Sequence, residues 1–490
     1  MSAKTPFWWG ILRLSKQQSR EQKGISEMNV TSTRAVIVEA GGTQVVGHVG
    51  LHALGAFADR VGVTESLSVA VGWDGPGIPV HDRGRVLSQA MLMLAGGGES
   101  CADIEALASQ GRLFGDVCSD TTLYRTFTRT LDEAALVRAR RAMAQVRTQV
   151  WRRTSATDGD GPVILDIDAS LVEIHSENKE GAAAHFKGGY GFHPVFCFAD
   201  GTGDVLAGHL RAGNAAANDT SDLLAVVDDG VDQLPTDVAA GHRPGDDPGL
   251  VQRQVVVRSD SAGGTKVFVE GLRGRNIGFA VVARRQAAVS AAIMIANSDS
   301  QRWEAALKQN GEQTDTTSDG RTAAVCEVTD LVDLGGWPDG TRLIIRRQPL
   351  HPGAQTTLLP DLEYRFWGHY TDQAGDPVDL DRQMRAHARV EDHIQRLKDS
   401  GLERFPFTEW APNQAWLQTV CWAADLVRWF QLLCLTGPLT RARPKRLRWT
   451  LWHAPARIIT TARRDIVRIL DGWPTAGDIV AAYRNIAALT

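Results

Sequence analysis

VILDIDASLV, residues 163–172, alternates so that an extended chain points Asp166 and Asp168 to one face and Leu165 and Ile167 to the other. A second apolar run, VVVRSD (residues 255–260), also ends in an acid, Asp260. Further on, RVEDHIQRLKDSG (residues 389–401) has a helical pattern that stops at Gly401, and two turns of helix put Glu391 and Lys398 on one face. Two strands and a helix thus deliver three carboxylates, as a divalent-metal phosphoryl-transfer site requires.

The chemistry explains the residue types. A phosphodiester is already anionic and gains charge as it reacts, so neutralisation and in-line positioning do most of the catalytic work. Two Mg²⁺ ions about 3.5–4 Å apart can do both. Hard cations prefer oxygen ligands, so carboxylates suit Mg²⁺ or Mn²⁺ better than Zn²⁺. No competing zinc pattern is formed by the cysteines and histidines.

The pattern around the acids predicts an α/β fold. Strand-like VFCFAD and VLAGHLR follow the first acidic strand. A helix begun by Asn218 or Asp219 comes next, then strand RQVVVRSD, helix TKVFVEGLRG and strand IGFAVVAR. That order is expected of an RNase H-like layer. Asp260 and Glu391 are too far apart for one crossover, so something is inserted. RTAAVCEVTD, TRLIIRRQP and DLEYRFWGHY, separated by turn-rich GGWPDG and HPGAQ, predict a mainly β subdomain there.

From DIDASLVEIHSE through HFKGGYGFHPVFCFAD, GNAAANDTSD, RSDSAGG and RVEDHIQRLKDSG to NQAWLQTVCWAADLV, the chain resembles the DDE transposases of bacterial insertion sequences, and most the thirteen-eighty family of those elements. The resemblance runs from about residue 30 to 470, with its motifs in the right order. It implies a catalytic triad of Asp168, Asp260 and Glu391 that holds the metal ions, with Lys398 as signature lysine. Between the two acids of DID the residues alone do not choose; the family motif favours Asp168. Where the family usually has Arg four residues before the Glu, this chain has His387, with Arg385 and Arg389 close by. The implied activity is binding of terminal inverted repeats, cleavage at the element ends and joining of the 3′ hydroxyls to target DNA, by a homodimer on double-stranded DNA. The alternatives are a metal-dependent endonuclease without strand transfer, or a non-catalytic DNA-binding protein derived from a transposase.

Composition fits such a partner through its distribution. Net charge is only −4, and 43% hydrophobic content across 490 residues supports two to four domains. Residues 436–470 carry nine Lys or Arg against Asp465 alone, and residues 121–153 hold eight Arg against Asp132 and Glu133. Between them, residues 200–248 contain ten Asp and only Arg211 and Arg243. Basic surfaces around an acidic middle suggest a polyanion gripped from two sides. Six scattered cysteines without a CxxC pair read as buried thiols in a reducing bacterial cytoplasm, nucleoid-associated if the partner is DNA. PFWWGILRL is too short for a membrane span, and Met28 is a candidate start. The stretch from Ala415 to Leu435, interrupted by Gln418, Asp425, Arg428 and Gln431, reads as a core helix.

The division that follows is residues 1–28 as a disordered or spurious extension; 29–155 as a largely helical DNA-binding domain; 160–288 with 375–435 as the catalytic domain; 289–374 as the β-rich insertion; and 436–490 as a basic C-terminal region. In the first domain TRAVIVEA and TQVVGHVG look strand-like. CADIEALA and SDTTLYRTFTRTL then predict a helix-turn-helix, with Ser119 as N-cap and Thr121, Thr122, Arg125 and Arg129 on the polar side of its second helix. Further DNA-contact candidates are Lys187 in the glycine-rich KGGYGFHP turn, Arg346 and Arg347 in the insertion, Arg385, His387 and Arg389 before the signature Glu, and Arg446 and Arg448 near the C-terminus. Trp303, Trp337, Trp367 and Arg342 are further candidates for stacking and phosphate contact in the insertion, with core packing the commoner fate of any single Trp. No G-x-S-x-G elbow and no Walker motif occurs, so neither a serine hydrolase nor a nucleotide cofactor is implied.

Overall fold

The computed structural model describes residues 44–73, 79–156, 159, 161–318, 320–350 and 364–489. The expected N-terminal extension and TRAVIVEA lie outside them. Alternating apolar runs form a nine-stranded sheet: β1 (Val163–Ala169), β2 (Val195–Ala199), β3 (Val205–His209), β4 (Val255–Ser259), β5 (Gly278–Val282), β6 (Glu304–Ala305), β7 (Ala324–Glu327), β8 (Arg342–Pro349) and β9 (Tyr364–Thr371). Their spatial order is β6-β7-β8-β9-β5-β4-β1-β2-β3. Only β1–β4 and β4–β5 pair in parallel, the first joined through β2, β3 and a helix and the second through one helix, and every other neighbour is antiparallel. The chain is therefore mixed α/β with a large mixed sheet.

The helices used below are α1 (Val49–Arg60), α2 (Val63–Ala70), α3 (Arg83–Gly96), α4 (Asp120–Arg125), α5 (Glu133–Thr154), α6 (Thr220–Val231), α7 (Lys266–Arg273), α8 (Ala287–Ser298), α9 (Pro377–Arg385), α10 (Val390–Leu397), α11 (Trp410–Cys434) and α12 (Ala476–Ala488). Asp219 caps α6 by accepting from the amides of Ser221 and Asp222. One face of the sheet packs Leu165, Ile167, Val255, Val257, Phe279 and Val281 against Val226 and Val227 of α6 and Phe268 and Leu272 of α7. Each such side chain, fully buried, contributes about 1.5–3 kcal/mol. The other face puts Phe196 and Phe198 of β2 into a second core with α11 and the N-terminal helices.

Three expectations are corrected. Residues 289–374 are not set apart from the catalytic sheet: β9 pairs with the open edge of β5, so β6–β9 extend the same sheet, and α8 at the start of this stretch is helical. TQVVGHVG supplies only two strand residues, Val45–Val46, which pair with Ala456–Thr461 before α1 begins at Val49. The second helix of the expected helix-turn-helix is short, since α4 passes into a five-residue π-turn at Thr126–Thr130. Ser119 does cap it, accepting from the Thr122 amide at 3.2 Å. No helix among the described residues is long and apolar enough to cross a membrane. In α11 the buried polar groups Gln418, Asp425 and Gln431 stand among Trp416, Trp422 and Trp429.

Candidate active site

Parallel pairing brings the first two acids together. Ile167 of β1 is level with Ser259 of β4, so Asp168 and Asp260 are the next positions along adjacent strands. One step earlier the same ladder sets Asp166 beside Arg258. All four side chains share a face because strand residues alternate.

The lower layer is closed and buried. Arg258 grips Asp166 with a two-pronged guanidinium contact, Nε to Oδ1 at 2.8 Å and Nη2 to Oδ2 at 2.6 Å. Arg258 also donates to the Gln383 carbonyl of α9 at 2.6 Å and pairs with Asp200 at 3.1 Å. His387 Nδ1 meets Asp166 Oδ1 at 2.8 Å. Burial would push the Asp166 carboxyl up, but its bonds to His387 and Arg258 carry it below the usual carboxylate value. A buried network of this kind adds little net stability yet fixes geometry, because removing one member strands the others. Here it ties the two central strands to the segment that leads into α10.

That tie anchors the segment that carries Glu391. His387 bonds Asp166, and Glu391 follows His387 by four residues, about one helical turn, in the segment so anchored. Glu391 is near enough to act electrostatically on Asp168. Burial first, and then the Asp260 and Glu391 carboxylates, push the Asp168 carboxyl up to about 6. Its Oδ1 accepts from the Ala169 amide at 2.7 Å, and Asp260 Oδ1 accepts from the Ala262 amide at 2.8 Å. Among the described residues, no Lys or Arg ion pair neutralises Asp168, Asp260 or Glu391, whereas Asp166 below them is paired. Nor do any three His, Cys, Asp or Glu side chains there already stand close enough to enclose an ion. Three hard oxygen donors with unbalanced negative charge nevertheless fit a divalent cation as the missing counter-charge.

Lys398 follows Glu391 by two turns, at the end of α10, where the helix widens into a π-turn that stops at Gly401 with φ +105°. Its side chain is half-buried. Thr121, Arg125 and Arg129 are exposed beside α4, Thr122 is half-buried, and Lys187 is exposed on the tip of the hairpin formed by Ala183–Ala184 and Tyr190–Phe192. Arg385, Arg389 and Arg446 are exposed, Arg389 pairing with Asp200 at 3.0 Å. Arg347 lies between Trp303 and Tyr364, 4.4 and 4.9 Å from their ring centres. Arg448 donates to the Asp399 carbonyl.

Two DNA-contact expectations are corrected by burial. Arg346 is only 5% exposed and binds Asp381 at 2.8 Å, so it ties β8 to α9. His387 is turned inward onto Asp166 and is not offered to a phosphate. The tryptophan candidates pack within the protein: Trp303 donates to the Ala296 carbonyl, Trp337 lies 4.0 Å from Tyr370, and Trp367 lies beside His369. Arg342 is likewise spent on Glu327. Arg258 is the residue that sequence reasoning missed. Its signal was present: RSD repeats the spacing of DID, a polar residue two before the acid, on what becomes the adjacent strand.

The model of the transposase DDE domain, group 1, matches residues 28–490. The chain belongs to this family. It is accordingly a DNA-cleaving transposase enzyme, of a class that generally uses divalent metal ions. No curated protein matches the transposase. Among solved structures it is similar to a piggyBac transposase synaptic complex with hairpin DNA, at 10% identity and a TM-score of 0.38, over 83% of this chain and 80% of that one.

Proposed function

We propose that this transposase binds the terminal inverted repeats of an insertion sequence of the thirteen-eighty family, cuts DNA at the element ends and joins the freed 3′ hydroxyls to target DNA. The observation that supports the reading is the strand register: Asp168 and Asp260 adjacent on parallel strands, with Glu391 near enough to act on Asp168 and its segment tied to Asp166 through His387.

In the proposed site Asp168, Asp260 and Glu391 hold two Mg²⁺ or Mn²⁺ ions. When bound, these ions offset the charge that builds on the reacting phosphate and on its attacking and departing oxygens. In cleavage a water oxygen bonds to phosphorus as the bond to the 3′ oxygen breaks, leaving a 3′ hydroxyl. In joining, that hydroxyl bonds to a target phosphorus and a target 3′ oxygen departs. Lys398 meets a phosphate beside the scissile bond. Arg258, Asp166 and His387 touch neither DNA nor ions; they hold β1, β4 and α10 in register. Thr121, Thr122, Arg125 and Arg129 read the terminal repeat, while Lys187, Arg347, Arg385, Arg389, Arg446 and Arg448 meet backbone phosphates. The working form is a homodimer on DNA in the bacterial cytoplasm, at the nucleoid.

The test is a labelled duplex carrying the element end. Asp168→Asn, Asp260→Asn and Glu391→Gln should each abolish Mg²⁺-dependent nicking and leave affinity for the duplex within about threefold, since chemistry and binding rest on different residues. Wild-type nicking by any of the three overturns the triad.

A further inference from the structure

A cleft of about 490 Å³ opens on the flank of α10 away from Glu391, lined in part by Arg389, His393, Arg396, Arg428 and Arg441. At about 100° per residue, Arg389, Asp392, His393 and Arg396 share one side of the helix. Glu391 lies on the other, with buried Val390, Ile394 and Leu397 between.

The cleft's charges do not balance. Its carboxylates, Asp200 and Asp392, are already engaged: Asp200 by Arg258 and Arg389, Asp392 by Arg396 and Arg443. Arg396 is further fixed to the carbonyls of Arg441 and Ala442. Arg428 gives Nε to the Thr202 carbonyl and Nη1 to the Thr440 carbonyl, and no bond of its Nη2 is present among the described residues. Arg441 is exposed, and its guanidinium has no hydrogen bond or ion pair among them. Both ring nitrogens of His393, stacked on Phe198, are buried without a partner. Burial, then the crowding of Arg396 and Arg441, hold the Arg428 guanidinium below its ordinary value. Uncommitted donors and surplus positive charge converge on a concave surface.

We propose that this cleft is a second seat for the DNA backbone, in which Arg428 and Arg441, with His393 beside them, hold a phosphate of a duplex segment that does not enter the carboxylate site. The inference rests on the transposase reading and adds a contact which that reading does not contain. An extended ligand fits better than a free anion, because Arg441 is exposed and exposed Arg446, which has no ion pair among the described residues, follows it closely in the chain. A duplex is long enough to touch both.

The experiment measures affinity of the full chain for a labelled duplex of arbitrary sequence across a salt series. Each phosphate contact contributes about 0.9 to the slope of log affinity against log salt. Arg441→Gln is expected to lower the slope by about one and weaken binding roughly tenfold at about 0.1 M salt, with unfolding temperature unchanged. Arg441→Lys, which keeps the charge, is expected to restore the slope. Arg428→Gln should behave like Arg441→Gln; because its carbonyl bonds are also lost, Arg441 decides if that variant does not fold. An unchanged slope in Arg441→Gln, with the wild type binding normally, overturns the cleft alone. A wild type that binds no duplex overturns the transposase reading as well. Inorganic phosphate is the second probe: if it stabilises the wild type and not Arg441→Gln while duplex slopes stay equal, the cleft takes a free anion and the proposal is overturned.

Discussion

Replacing Asp168 with Asn should abolish cleavage and yet make the metal-free protein more stable. The wild-type carboxyl is pushed from 3.8 to about 6 by burial and by Asp260 and Glu391, so its charged form is disfavoured in the fold. A shift of about two units is worth about 3 kcal/mol, at about 1.4 kcal/mol per unit. An amide of the same shape removes the charge but still has to be buried, so the expected gain is roughly 1–3 kcal/mol at pH 8. Because the folded value lies above the unfolded one, the cost of the carboxylate is absent below about pH 4, grows as pH rises to about 6 and is complete above that. The gain should therefore be smaller at pH 5 than at pH 8. Chemical unfolding of both proteins in a chelator at the two pH values measures it. Added Mg²⁺ should then stabilise the wild type more than the variant and narrow the gap. If Asp168→Asn is no more stable than the wild type at pH 8, or gains equally at both pH values, the carboxylates do not oppose one another as described.

Two residues away the sign reverses: Asp166→Ala removes the two-pronged partner of buried Arg258, leaving it Asp200 and the Gln383 carbonyl, and should cost about 3 kcal/mol, read by the same unfolding assay. A loss under about 1 kcal/mol would show that the network is not holding the strands. Asp425, fully buried between Arg147 and the Val205 amide, is raised by burial to about 7. Folding therefore favours its protonated form, and the group should lower stability by about 1.4 kcal/mol per pH unit as pH rises from about 4 to 7; Asp425→Asn should flatten that slope, and an unchanged slope would count against it. Arg125→Ala should weaken binding to the element end more than to random DNA, whereas Arg446→Ala should weaken both equally, and equal losses for Arg125→Ala would make α4 a backbone clamp.

Much of the fold was legible because local pattern and tertiary role agree. The alternation in VILDIDA and the apolar run in VVVRS become β1 and β4, Asp219 and Ser119 cap their helices, and Gly401 takes the left-handed conformation that ends the signature helix. The roles of Asp166, His387 and Arg346 were not legible, because the partners that bury them lie far off in sequence: Asp166 meets Arg258 and His387, and Arg346 meets Asp381. An Arg in a strand next to another Arg looks like a phosphate contact until one knows which face the neighbouring helix covers. The joining of β9 to β5 was hidden for a similar reason: a turn-rich stretch marks where strands end but not which open edge receives them. Two residues of each basic patch read the same way, with Arg140, Arg147, Arg443 and Lys445 paired with acids elsewhere in the chain.

The pairing of Val45–Val46 with Ala456–Thr461, and the packing of α1 against α12, also govern how the molecule is made. Helices α1–α3 belong to a core whose remaining side, including Leu447, Leu451, Trp452 and Ile479, comes far later in the chain. Val49 donates its amide to Ala454, and Gly50 has room only for hydrogen against the Leu451 carbonyl, so this early helix is shaped to fit a segment that does not yet exist when it emerges. A nascent or prematurely terminated chain thus carries the α4 region on an unfinished support. A chain cut before Leu447 lacks that side of the core, and α1 in it lacks those packing partners.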